Sequence, residues 1–269
     1  MIGKDGVQAE PRDGAQSVRR ALAVLRLVAT GQERGVRLTD IAAMSGLSRP
    51  TVHRLLKMLI AETAVEQDPS TRRYRIGTEI TLLGLARAGR FAVRGIAEPY
   101  LRELAAEVGD TVFLSVRHGA DSVCIGRYLG SHPIQVLSID VGVRRPLGAS
   151  VSGIVLLAGL DQADVQEITA ANQPRLTLQG LDAQGLLREV QRARKLNYAY
   201  AAHGVMPGTR AVAVPVRDEQ NQVVAAVSIA ALADRLDRKR LTWVVERMQH
   251  HATTIHQRYS DIAKARPKA

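Results

Sequence analysis

Along the first third of the chain, apolar residues recur at helical spacing in short runs that glycine interrupts. Val18, Ala21, Leu22, Leu25 and Val28 form one stripe. It predicts a helix over residues 17–30, with Ser17 as its N-cap and Gly31 as its stop. A second helix is expected from Thr39, whose hydroxyl can cap it. Ile41, Ala42 and Met44 would turn inward, and Gly46 ends the helix after barely two turns. Ser48 opens a third helix. Pro50 is tolerated in its first turn, where the amide has no intrahelical partner, and Val52, Leu55, Leu56 and Leu59 form its buried face. Residues 64–67 and 73–76 then read as a β-hairpin around Asp68-Pro69-Ser70-Thr71. A linker helix is expected over 78–91, with Ile80, Leu83, Leu85 and Ala88 apolar, and another helix over 96–108.

From Thr111 the period becomes that of strands, over 111–116, 122–128 and 134–139. Pro146 and Gly148 lead into a small-residue helix over 150–160, and helices over 162–171 and 183–196 follow. Strands over 211–216 and 223–231 form a hairpin, and a final helix covers 238–259. The expected fold is α+β. Its parts are a disordered tail (1–16), a three-helix unit with a hairpin wing (17–77), a linker helix (78–95), an α/β domain (96–262) and a basic tail (263–269).

Composition sharpens this. A length of 269 residues suits two domains. The net charge of +11 and pI of about 10.4 point to a polyanionic partner, nucleic acid first and an anionic membrane second. Residues 1–92 hold 15 Lys and Arg against 9 Asp and Glu, whereas the longer remainder holds 22 against 17. The shorter segment is therefore the more basic per residue, as a DNA-facing unit requires. The single cysteine, Cys124, permits no internal disulfide and reads as a small core residue of a cytoplasmic protein. Residues 1–15 carry no apolar run of a signal peptide, and no stretch approaches the ~18 apolar residues of a membrane span.

The segment from Leu38 to Leu56 is a helix, a glycine turn and a second helix. It would present Ser48, Arg49, Pro50, Thr51, His53, Arg54 and Lys57 to a major groove, with Thr39 beside them on the preceding helix. Arg72, Arg73 and Arg75 on the hairpin would grip phosphates as a wing. The plain alternative is a small helical bundle with solvated arginines. Other functional classes stay open: a small-molecule hydrolase or isomerase with a fused helical domain, or a protein-interaction adaptor. Gly148-Ala149-Ser150-Val151-Ser152-Gly153 resembles a nucleophile elbow, but Ser152 stands where the final glycine belongs. His250, His251 and His256 share one helix and read as solvated, with no carboxylate or Cys to complete a metal site. No catalytic residue, metal or cofactor is expected.

Ser17-Val18-Arg19-Arg20-Ala21-Leu22-Ala23-Val24-Leu25, Leu38-Thr39-Asp40-Ile41-Ala42, Gly46 to Leu56 and Tyr74-Arg75-Ile76-Gly77 together resemble the IclR family of bacterial regulators. The likeness continues through Gly109-Asp110-Thr111-Val112, Gly142 to Leu147 and Gly208 to Asp218. It implies an N-terminal winged helix-turn-helix, a linker helix and a C-terminal GAF-like α/β effector-binding domain. It also implies homodimers or homotetramers on double-stranded DNA with a palindromic operator, most often as repressors. The effector would lie between residues 147–154 and the final hairpin. Expected contacts are Leu147, Ser150, Ser152, Gly153, Ile154, Val205 and Met206. The acidic residue, Cys and two Ser that hold small acids in the family fall near Ala201 or Ala202 and at Ala211, Ser228 and Ala230. Only Ser228 is polar, so the resemblance points to an apolar cavity and to an aromatic or hydrophobic organic acid. The small residues from Gly148 to Gly153 either leave backbone N–H groups open to an anion or only permit close packing.

Overall fold

The computed structural model describes residues 13–31, 34–86 and 92–265. Two compact units, Met1–Ala88 and Gly89–Ala269, divide the chain. In the first, α1 (Asp13–Ala29), α2 (Leu38–Ser45) and α3 (Arg49–Ala61) enclose Val24, Val28, Ile41, Val52 and Leu56. β1 (Val65–Gln67) and β2 (Tyr74–Ile76) form an antiparallel hairpin. Val36 exchanges two backbone hydrogen bonds with Tyr74, at 2.9 and 2.8 Å, and so ties the α1–α2 connection to the hairpin. α4 (Thr78–Leu85) follows and has no buried residue.

Several expectations are corrected here. α1 begins at Asp13, so residues 13–16 are helical and Ser17 lies inside the helix instead of capping it. Its core stripe is Val24 and Val28, one turn apart, while Val18 and Leu22 are exposed. α2 begins at Leu38 with Arg37 at the cap, and the Thr39 hydroxyl donates to the neighbouring Asp40 at 3.2 Å. Met44 is exposed. Residues 1–12 of the expected tail, 87–91 of the linker helix and 266–269 of the basic tail lie outside the described residues.

Gly46 ends α2 at φ +67, with its N–H on the Ala42 carbonyl at 3.1 Å. A side chain there meets open space, so its cost is backbone strain alone. Gly46→Ala is expected to lower stability by about 1–2 kcal/mol. Chemical denaturation of the full chain, followed by circular dichroism, checks it.

The second unit runs α5 (Ala92–Val108), β3 (Thr111–His118), β4 (Asp121–Tyr128), β5 (Arg144–Pro146), α6 (Val151–Ala158), α7 (Gln162–Thr177), α8 (Ala183–Leu196), β6 (Ala199–Ala201), β7 (Thr209–Arg217), β8 (Val223–Leu232) and α9 (Arg238–Ala265). Its six described strands make one antiparallel sheet in the order β5-β4-β3-β8-β7-β6. α5 and α9 cover one face, packing Leu101, Leu104, Val244 and Met248 on Val112, Leu114, Val214 and Val227. α6 and α8 cover the other, with Val155, Leu156 and Val190 near Ala213 and Ala226. The alternation in β8 matches this: Val227 and Ile229 go to one face, Ala226 and Ser228 to the other. Alanine on the α6 side admits a helix closely.

No strand forms over 134–139, contrary to expectation. Side chains satisfy the backbone there instead of a ladder. Gln135 Nε2 donates to the carbonyls of Gly109 at 3.0 Å and His132 at 2.6 Å, and Arg145 Nη2 donates to that of Ser138 at 2.6 Å. The sheet edge is the short β5. β6 lacked any sequence signal, α7 continues through Pro174 to Thr177, and α9 extends to Ala265.

The start of β3 is clamped to the turn before α9. Asp110, 3% exposed, accepts from Arg235 Nε and Arg240 Nη1, each at 2.8 Å. Both arginines also donate to the Val108 carbonyl that ends α5.

Candidate nucleic-acid interface and internal pocket

α3 buries Val52 and Leu56 and turns its other side outward. Arg49, His53 and Lys57 are spaced by one turn, as are Pro50 and Arg54, so the five form two adjoining rows. All five are exposed, as are Ser48 and Thr39, whereas Thr51 is half-buried. Ser48 adopts the extended backbone of a cap, yet its hydroxyl bonds to the Thr51 hydroxyl at 2.9 Å and not to a backbone amide. Among the described residues no carboxylate pairs with Arg49, Arg54 or Lys57. The rows present uncompensated positive charge at the start of a helix framed by a glycine turn.

The wing differs from its expected form. Asp68 accepts from the backbone N–H groups of Ser70 at 2.9 Å and Thr71 at 2.8 Å, and from the Ser70 hydroxyl at 2.7 Å. These bonds hold its carboxyl well below the usual range. Arg75 pairs with Asp68, and Arg73 Nη1 donates to the Gly35 carbonyl at 3.0 Å. Arg73 and Arg75 thus hold the hairpin in shape. Arg72 is exposed near the tip, at φ +58, and its side chain has no described partner.

In the second unit a pocket of about 600 Å³ opens on the α6 face of the sheet. Phe113, Ser115, Ser122, Ala211, Ser228 and Ala230 form its sheet wall. Ser150, Val151 and Ser152 come from the start of α6, and Ser138, Ile139 and Arg145 from the β4–β5 side. Gln179, Leu181, Ala201, His203, Val205 and Thr209 lie around the rest. Ser150 caps α6 by accepting from the Gly153 N–H at 3.3 Å. The Ser152 hydroxyl donates to that of Ser228 at 2.9 Å, joining α6 to β8.

Six of the expected effector contacts line this pocket: Ser150, Ser152, Val205, Ala211, Ser228 and Ala230. Leu147 does not; it is fully buried in the core with Val151 and Val155. Gly153, Ile154, Ala202 and Met206 are also absent from the lining, and Ala201 takes the place of Ala202. The lining surface is mostly apolar, as the resemblance implied, but it also carries polar groups that were not expected. Ser115, Ser122, Ser138, Ser150, Ser152, Thr209 and Ser228 bring seven hydroxyl-bearing residues to the wall, and Arg145 brings a guanidinium. A signal for one of them was present: Ser115 sits between Phe113-Leu114 and Val116, where a buried hydroxyl needs a partner.

Cys124 is core, and burial pushes its thiol up to about 11. Of the three late histidines, His250 is exposed and His256 bonds the Arg217 carbonyl at 3.0 Å. His251 is buried against Glu107 at 3.3 Å, not solvated as expected. Glu107 also takes two bonds from Arg247, which hold its carboxyl below the usual range. No described cluster of His, Cys, Asp or Glu could hold a metal ion. No described helix is long and apolar enough to cross a membrane.

Residues 86–257 match the family model of the bacterial transcriptional regulator IclR C-terminal domain, and residues 17–69 that of the IclR helix-turn-helix domain. The chain belongs to the IclR family of bacterial transcriptional regulators. Among its relatives, the HTH-type transcriptional regulator XynR of Escherichia coli K12 is 32% identical, covering 87% of this chain and 93% of that protein. The HTH-type transcriptional repressor AllR of the same strain is 32% identical over 88% of each. The crystal structure of an IclR transcriptional regulator from Alicyclobacillus acidocaldarius superposes with a TM-score of 0.69 at 26% identity, covering 90% of this chain and 98% of that one. An IclR homologue from Microbacterium hydrocarbonoxydans shares the fold, with a TM-score of 0.68 at 24% identity, over 90% of this chain and 98% of that one. This IclR-type chain is a helix-turn-helix, DNA-binding transcriptional regulator with an α/β second unit.

Proposed function

We propose that the chain is a cytoplasmic, non-enzymatic repressor that grips a palindromic operator through α3 and releases or tightens it when an organic acid enters the pocket of the second unit. The unpaired basic rows of α3 carry the DNA half of this reading. Arg49, Thr51, His53 and Arg54 read or grip the groove, Thr39, Ser48, Pro50 and Lys57 flank them, and Arg72 reaches a phosphate from the wing. The relative AllR is named a repressor, which supports the sign of control.

The pocket is the effector site in this reading. Its volume of about 600 Å³ lies within the range of small-molecule sites and exceeds what a three-carbon acid fills. An aromatic or hydrophobic acid matches its mixture of Phe113, Ile139 and Leu181 with hydroxyls. The Microbacterium hydrocarbonoxydans homologue was crystallised with 4-hydroxybenzoate, which makes that acid a first probe. Ser150, at the nucleophile position of the elbow-like run, caps α6 by accepting from the Gly153 N–H, and no described hydrogen bond joins it to a histidine, so the likeness lacks a base.

A homodimer or homotetramer is supported by the apolar side chains that a single chain leaves uncovered. α4 exposes Leu82, Leu83 and Leu85, and α1 exposes Val18 and Leu22. A dimer would set two α3 helices about one DNA turn apart or a multiple of it.

The test is a mobility shift with DNA flanking the chain's own gene, followed by genome-wide selection of bound fragments. A shift that survives competitor DNA, with a palindrome among the selected fragments, is the expected result. No selected site at low or moderate salt would overturn the reading. Titrating 4-hydroxybenzoate and related acids into the shifted complex is expected to change operator affinity at least tenfold, a coupling of about 1.4 kcal/mol.

A further inference from the structure

β5 carries two arginines in succession, and strand geometry separates them. Residues directly opposite in an antiparallel ladder share a face of the sheet. Arg145 is opposite Ser122, and Ser115 is opposite Cys124 on the neighbouring pair of strands. Phe113 is opposite Ser228. All but Cys124 line the pocket, so the register places Arg145 on the pocket face and Arg144 on the other. Arg144 is exposed accordingly, and its guanidinium reaches His118 at 3.4 Å.

Arg145 is half-buried and has no carboxylate partner among the described residues. Of the five N–H donors of a guanidinium, those on Nη2 meet the Ser138 carbonyl at 2.6 Å. That bond fixes the direction of the fork, and Nε and Nη1 have no described protein acceptor. Burial lowers the affinity of this group for its proton, a cost that an anion alongside would offset. No Asp or Glu lines the pocket. The cavity therefore holds a fixed, uncompensated positive charge facing a set of hydroxyls.

We infer that Arg145 is the anion anchor of the pocket, binding a carboxylate of the effector at the β5 edge while its apolar body extends toward Phe113 and Ile139. The inference rests on reading this pocket as the effector site. It adds that charge is the first selection: acids bind more tightly than their neutral amides or cationic analogues. The other cationic candidate on the lining, His203, is exposed on the β6–β7 connection.

The test uses full-length protein and calorimetry with matched pairs: benzoate, 4-hydroxybenzoate, phenylacetate, octanoate and pyruvate, each against its primary amide. At least one acid is expected to bind, with its amide roughly tenfold to hundredfold weaker, as for a charge-assisted hydrogen-bonded pair. Arg145→Gln should abolish that preference, Arg145→Lys should keep part of it, and Arg144→Gln, on the opposite face of β5, should leave it unchanged. Unaltered melting and DNA binding of the unliganded variants would show that they fold. Equal binding of acid and amide, or a preference retained in Arg145→Gln, would overturn the anchor. Binding of amides alone that a pocket-filling Ser228→Phe abolishes would keep the effector site and reject Arg145. Binding of nothing in the panel would reject both.

Discussion

Arg49→Ala combined with Arg54→Ala abolishes specific operator binding at physiological salt. Both side chains are exposed on the outward rows of α3, opposite Val52 and Leu56, and neither is committed to a protein carboxylate. Each truncation removes a group able to make paired contacts with a guanine edge or with phosphates, worth about 1–3 kcal/mol. Together they remove about 2–6 kcal/mol, comparable to the lower part of the roughly 4–10 kcal/mol margin between specific and bulk binding, and reduce affinity by roughly a hundredfold or more. Fluorescence anisotropy with the selected operator measures this, and competition against scrambled DNA separates two roles. A base-reading arginine loses discrimination at one position. A phosphate-gripping one, as expected for Lys57→Ala, weakens all sequences alike and lowers the salt slope by about one. Retention of full affinity in the double variant would remove α3 from the interface.

Asp110→Ala is expected to destabilise the second unit by about 3 kcal/mol. The carboxylate is buried and serves two arginines, one in the turn after β8 and one on α9. Breaking a buried pair by deleting one partner leaves the opposing charge uncompensated, which costs about 3–5 kcal/mol. The lower end applies because Arg235 and Arg240 stay about a quarter exposed, at 28% and 25%. Their bonds to the Val108 carbonyl persist in the variant. Urea denaturation of the full chain measures the loss. A loss under about 1 kcal/mol would mean that the arginines find water as readily as they find Asp110.

The winged unit was legible because its signals are local. Gly46 needs positive φ, Pro50 suits a first helical turn, and Val52 and Leu56 recur at helical spacing. What local patterning missed was decided by distant partners. Ile134, Val136, Leu137 and Ile139 look like a strand, yet Val136 alone is buried and Gln135 ties the segment to Gly109. Three-residue β6 is too short to show a period. His251 gains its burial from Glu107 on α5, far away in sequence. In the wing, Arg73 and Arg75 looked like phosphate grips because neither Gly35 nor the Asp68 turn can be seen as their partner in the sequence. Of the residues named from the sequence around α6 and the β7–β8 hairpin, Ser150, Ser152, Ala211, Ser228 and Ala230 line the pocket, and Leu147, Gly153 and Ile154 do not. Its other polar groups went unseen because Ser115, Ser122, Ser138 and Arg145 converge only once β3, β4 and β5 are paired.

The tandem at Arg144 and Arg145 has a consequence for how this pocket tolerates insertions. A one-residue slip of a strand normally exchanges its two faces and destroys whatever a face displays. Here, inserting one residue before Arg144, with the chain up to Val143 kept in place, would bring Arg144 opposite Ser122 and turn it inward. The guanidinium would be replaced by its twin. Repetition at the edge strand makes the charge of the cavity redundant against a class of length mutations, so lineages could lengthen the β5–α6 turn, and with it the mouth of the pocket, without passing through a form that has lost its cation.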